Sequence, residues 1–182
     1  FRKVSINELP MNYKIEYGFL AENIFSSLLR VRDNNTTGII VDEYKQNSLG
    51  GGIFIEIYPF DKVPVGMKRK IQLAKSSALF LALNNWNREE NFSGIKKMVI
   101  QGLKKLSIET VWKMYESNNK KYMNSKEEYV DTVALPSYAK QGIHFYRIED
   151  VQKTVPHKYE FMELDIPKGN DQCLRQQYGD YM

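Results

Sequence analysis

The chain holds one cysteine, Cys173, and two histidines, His144 and His157, among 182 residues. A single cysteine excludes an intrachain disulfide and points to a reducing compartment. Cys173 has no C-x-x-C partner and the histidines have no H-x-x-x-H spacing, so no zinc motif is present. A Cys–His nucleophile pair would rely on Cys173 in a polar C-terminal stretch, a poor setting for preorganisation. Long apolar runs are missing too. The longest, Ala78-Leu79-Phe80-Leu81-Ala82-Leu83, is six residues, against about 20 needed to span a bilayer. No internal repeat, low-complexity tract or Pro/Gly-rich linker occurs. The chain opens at Phe1 rather than a methionine, which predicts further N-terminal sequence and deprives a missing targeting signal of meaning. Three Asn-x-Ser/Thr sequons start at Asn34, Asn35 and Asn91; they matter only in a secreted chain, and the lone cysteine points the other way.

Apolar material is not scarce. The hydrophobic fraction is 42% and the aromatic fraction 13%, enough for a core and too much for a disordered chain. Net charge is +4, a modest excess that favours anionic partners or serves solubility alone.

Residues 1–12 contain Pro10 and read as an extended arm. Between Ala21 and Arg32, the apolar positions Ile24, Phe25, Leu28, Leu29 and Val31 fall at helical spacing and predict a helix. Gly38-Ile39-Ile40-Val41 and Ile53–Tyr58 predict strands, joined as a hairpin through Leu49-Gly50-Gly51-Gly52. A long helix is expected from Met67 to about Trp86, with Met67, Ile71, Ala74 and Ala78 on one face and Lys68, Gln72 and Lys75 on another. A second helix places Ile95, Met98, Val99, Leu103 and Leu106 together, with Lys96, Lys97, Lys104 and Lys105 off that face. Ser107–Tyr115 fits helix or strand, and Ser117–Glu128 reads as a polar loop. Tyr129–Leu135, Ile143–Ile148 and Tyr159–Ile166 are strand candidates, and 168–182 reads as a polar tail. The expected fold is α+β: one globular domain over 13–167, with an antiparallel sheet of about four to five strands packed on two or three helices.

The candidates for chemistry are thin. Glu89-Glu90, Glu127-Glu128 and Glu149-Asp150 are acidic neighbours at i, i+1, where side chains diverge; a solvated surface explains them better than a general acid–base dyad. Gly50-Gly51-Gly52 precedes a strand, whereas a phosphate-binding loop must open a helix, so a hairpin turn is the simpler account. Tyr13, Tyr17, Phe54, Tyr58, Phe145 and Tyr146 are the candidates for a base-stacking platform, but no RNA-recognition string accompanies them and core packing comes first. No catalytic residue, metal ligand or cofactor site is expected, and the chain reads as a binding protein rather than an enzyme. The basic residues carry the binding expectation: Lys68, Arg69, Lys70, Lys96, Lys97, Lys104, Lys105, Lys120 and Lys121. Cations at the start of a helix oppose its dipole, which sets Lys68, Arg69 and Lys70 apart from a generic charge run. An ordinary solvated face is the competing explanation.

One stretch carries a family resemblance. The strand Ile53–Tyr58 leads through a Pro-containing basic loop to Arg69, then into a helix ending Ala82-Leu83-Asn84-Asn85-Trp86-Asn87. A loop with Gly94 precedes the lysine-bearing helix Ile95–Leu106. This succession resembles the central segment of rhabdovirus matrix proteins, over about residues 53–106. The resemblance implies a virion-assembly protein that associates with itself, with ribonucleoprotein or nucleocapsid and with an acidic membrane surface. It would lie in the virion and host cytoplasm, peripheral to the membrane and without a transmembrane segment. It also implies an N-terminal arm docking on a neighbour. The stretch shown has neither a Lys-rich N-terminal tail nor a Pro-Pro-x-Tyr motif, so a plant-infecting relative fits better. Two rivals stand beside this reading: a single-stranded nucleic-acid-binding viral silencing or movement protein, with single-stranded RNA among its partners, using the same lysines with exposed aromatics, and an enzyme assembled from scattered polar residues.

Overall fold

The computed structural model describes residues 9–21, 24–38, 52–87, 92–142 and 144–181. The arm over 1–8, the strand expected over 39–41 and most of the Gly-rich turn lie outside the described residues. The fold is α+β, with helices and antiparallel strands. The eight described strands fall into three small sheets rather than one. The chain divides into two compact units, Phe1–Pro59 with Phe80–Val111, and Phe60–Leu79 with Trp112–Met182.

The first unit is built on β1 (Tyr13–Ala21), β2 (Ile24–Asp33) and β3 (Phe54–Ile57), in the order β1-β2-β3. The helix expected over 21–32 is therefore a strand. Tyr13 pairs with Asp33 and Lys14 with Arg32 on one side of β2, while Arg32 pairs with Phe54 and Leu29 with Ile57 on the other. β3 pairs only with Leu29–Arg32, yet before that stretch Phe25, Ser26, Ser27 and Leu28 are all buried in succession, so both faces of the strand are covered there and clean alternation is lost. That run produced the false helical spacing. The strand expected from Ile53 to Tyr58 is present as β3.

A buried ion pair lies inside this sheet. Arg32 Nε and Nη2 donate to Glu16 Oε1 and Oε2 at 3.0 and 3.1 Å, and Nη1 donates to the Gly52 carbonyl at 2.8 Å. Both side chains are at most 2% exposed, and the guanidinium also covers the Phe54 ring at 4.8 Å. Gly52 sits at φ 152°, and a Cβ there would lie 2.4 Å from the Asp33 carbonyl oxygen. Only glycine lets the backbone come that close.

Helix α1 (Gly66–Asn84) contributes its N-terminal part to the second unit and its last turn to the first. Its buried stripe runs through Gln72, Leu73, Ser76, Leu79 and Leu83, while Met67 and Ile71 are exposed. The face expected from hydrophobicity alone is thus turned to solvent. Distant hydrogen-bond partners reverse the preference: Gln72 Nε2 donates to the Asn118 carbonyl at 2.9 Å, and Ser76 Oγ lies 2.8 Å from the Val133 carbonyl. In the first unit, Phe25 meets Phe80 edge-on at 5.8 Å. Helix α2 (Gly94–Leu103) buries Ile100. Helix α3 (Ile108–Asn119) settles the ambiguous segment as helical, with Ser107 Oγ accepting the Thr110 N–H at its start.

The second unit holds β4 (Asp61–Val63), β5 (Tyr129–Asp131) and β6 (Tyr146–Arg147), ordered β4-β5-β6. Val63, Leu73, Val133 and Ala139 form its apolar centre, with Tyr129 and Phe145 packed against them. Tyr115 closes this core by donating to the Ala134 carbonyl at 2.6 Å. The strands expected over Tyr129–Leu135 and Ile143–Ile148 are shorter than expected; the short helix α4 (Pro136–Gln141) lies between them, and α5 (Ile148–Gln152) starts at the end of the second. Strands β7 (Thr154–Tyr159) and β8 (Met162–Pro167) form a separate hairpin whose turn places Glu160 at φ 51°. Helix α6 (Asn170–Tyr178) occupies the stretch expected to be a tail; Gln176 donates to the Gly142 and Phe145 carbonyls at 2.9 and 2.7 Å.

Candidate functional site

The nine basic residues separate by environment. Lys68 and Lys70 are exposed at the start of α1. Arg69, between them, turns inward. Its Nη2 donates to Asp131 Oδ2 at 2.5 Å and to the Ala139 carbonyl at 2.6 Å, and its guanidinium lies over the Phe145 ring at 4.4 Å. Arg69 therefore serves the second unit's interior and is absent from the exposed set. Lys120 reaches Glu116 at 3.7 Å across one helical turn, and Lys121 lies over the Tyr122 ring at 5.4 Å. In the first unit, Lys96, Lys97 and Lys105 are exposed, and none pairs with a carboxylate among the described residues. Lys104 is half-buried. From Gly94 to Ser107 the chain has four lysines and no acid, so this segment is a local source of positive potential.

The aromatics divide in the same way. Tyr13 and Tyr17 are exposed on β1, whereas Tyr146 is buried and Phe145 stacks on Tyr129 at 4.7 Å with the rings 5° from parallel. The last two serve the core.

The second unit contains a polar network that pattern reading missed. Asp61 and Asp131 face each other across the β4–β5 ladder. Asp131 is completely buried; Oδ2 receives Arg69 and Oδ1 accepts the Thr132 N–H at 2.8 Å. Burial pushes the Asp131 carboxyl up, and the Arg69 guanidinium pulls against it. Thr132 Oγ1 lies 3.1 Å from His144 Nδ1. Burial holds the imidazole below its usual range, against the pull of Asp131. Burial also pushes Asp61 up to about 6, opposed by Lys120, and Tyr146 up to about 12. Cys173 is half-buried, and burial with nearby Asp150 raises its thiol.

A nucleophile needs access to a substrate, and Thr132 has none: it is fully buried beside His144. The network ties β5 to α1 and to the segment before β6. Among the described residues, no group of three His, Cys, Asp or Glu side chains is placed to hold a metal ion. A cavity of about 390 Å³ in the second unit is lined by Glu127, Glu128 and Glu149 with Arg147 and Lys153; Arg147 already pairs with Glu149 at 2.8 Å. Carboxylates outnumber cations there, which disfavours an anionic ligand. Among the described residues, no helix is long and apolar enough to cross a membrane.

No family model, curated protein or solved structure matches this chain.

Proposed function

We propose that the chain is a matrix-like structural protein that assembles with itself and bridges ribonucleoprotein and an acidic membrane surface. The observation that carries this reading is the acid-free lysine segment around α2, with Lys96, Lys97 and Lys105 exposed and unneutralised by carboxylates among the described residues. Lys68, Lys70, Lys120 and Lys121 add exposed cations in the second unit. Each lysine near an anionic bilayer adds ~1 kcal/mol. Support for self-association comes from the β7–β8 hairpin, which leaves Tyr159, Phe161, Met162 and Leu164 exposed. Clustered apolar side chains on a surface mark a contact with another molecule.

The test compares the wild type with a Lys96→Gln/Lys97→Gln/Lys105→Gln variant on acidic vesicles and on short single-stranded RNA, across a salt series. The reading expects salt-sensitive binding by an assembling wild type, weakened about a hundredfold in the triple variant at ~1 kcal/mol per lysine. Equal binding by both proteins would overturn it. Tight RNA binding by a monomer that ignores acidic vesicles would mark a single-stranded-RNA-binding accessory protein instead.

A further inference from the structure

The apolar side of α2 is exposed as well as its lysines. Ile95 is 80% exposed, Met98 73% and Val99 41%, and their i, i+3, i+4 spacing puts them on one side of the helix. Leu106, just beyond the helix end, is also exposed. Hydrophobic burial does not explain this orientation: the helix commits Ile100 to the interior and leaves three large side chains in water. Lys96 and Lys97 stand in the same turn as Ile95 and Met98.

We infer that α2 lies flat in the interface of an acidic bilayer, with Ile95, Met98 and Val99 entering the acyl boundary and Lys96 and Lys97 meeting anionic headgroups. This rests on the membrane half of the reading above and deepens it, because it replaces a purely electrostatic contact with an inserted one. Charge complementarity selects lipid over protein. Four lysines without one acid suit a surface of uniform negative charge, and lysine is depleted in protein–protein interfaces. Lysine stems also run along apolar surface while their ammonium groups stay at headgroup level. At ten residues the helix is about 15 Å long, suited to lying in the interface and too short to cross it.

Flotation with vesicles of phosphatidylcholine alone and of phosphatidylcholine with phosphatidylserine tests the inference on the full chain. Three proteins are compared: wild type, Ile95→Asn/Met98→Asn, and Met98→Trp, with light scattering run on each without lipid. The wild type is expected to float with the acidic vesicles and to keep a salt-resistant fraction. The Asn pair is expected to lose about a hundredfold in partitioning, from the two apolar side chains no longer buried. The introduced indole is expected to shift its emission to the blue on acidic vesicles and to be quenched by lipids brominated in the acyl chain. If the Asn pair floats as well as the wild type, the inference falls while electrostatic membrane binding survives. If the wild type floats with neither vesicle, the membrane half of the underlying reading falls with it. If the Asn pair changes the oligomeric mass without lipid, the face is a protein contact and the inference is overturned.

Discussion

Replacing Asp61 with Asn should make the second unit more stable at neutral pH. Asp61 sits on β4 directly opposite Asp131, half-buried, and its carboxyl receives no hydrogen bond among the described residues. Burial lifts its pKa from 3.8 to about 6, with Lys120 opposing the rise. The folded carboxyl thus holds its proton to higher pH than the unfolded one. Its ionisation costs nothing below about pH 4, the cost grows as pH rises from 3.8, and it is complete above pH 6. The full interval corresponds to about 3 kcal/mol, and residual solvent contact reduces this to about 1–3 kcal/mol at pH 7. An amide at position 61 carries no charge to desolvate. Urea unfolding, followed by Trp112 fluorescence in a Trp86→Phe background, should show Asp61→Asn ahead of the wild type at pH 7–8 by that amount and level with it near pH 4. His144 works in the opposite sense, because an imidazole held neutral loses stability as pH falls through 6.5. It does so in both proteins and cancels in the difference. A variant no more stable than the wild type at pH 7, or an advantage that persists unchanged at pH 4, would refute the argument.

Arg69→Met should cost the second unit about 3–5 kcal/mol, because it leaves the fully buried Asp131 carboxylate without its cation, whereas Lys68→Gln and Lys70→Gln should change the urea midpoint by less than about 0.5 kcal/mol. Arg32→Met in the first unit should lose up to ~3–5 kcal/mol, because the buried Glu16 then keeps only the half-exposed Lys14 at 3.6 Å, read through Trp86 fluorescence in a Trp112→Phe background. Tyr115→Phe should cost about 1–3 kcal/mol by leaving the buried Ala134 carbonyl unpaired, measured by the same urea titration.

Local pattern carried much of the fold. The Ile53–Tyr58 strand, the long helix through Leu83 and the lysine-bearing helix after Gly94 follow from propensity and turn chemistry acting over neighbouring residues. The failures share one cause: partners far away in sequence. Phe25 to Leu28 are buried in succession, with Phe80 packed edge-on against Phe25 from 55 positions away, which no window of a dozen residues reveals. Gln72 and Ser76 face inward because Asn118 and Val133 supply their hydrogen bonds from 46 and 57 positions away. Arg69 leaves the basic surface for the same reason, since Asp131 is 62 residues distant. One signal was legible in hindsight. Arg30 and Arg32 alternate with Leu29 and Val31, the period of a strand, with Glu56 and Glu16 as their carboxylates. The lysines around α2 were visible from sequence, but the solvent-facing turn of Ile95 and Met98 was not, because amphipathic spacing alone predicts burial.

Static light scattering across a series of concentrations and salt strengths bears most directly on assembly through the exposed surfaces. The account predicts a mass that climbs above the monomer with concentration and stays at the monomer when the β7–β8 tip carries Phe161→Asp with Leu164→Asp. A wild type that remains monomeric under every condition, or a hairpin variant that assembles as readily as the wild type, would contradict it.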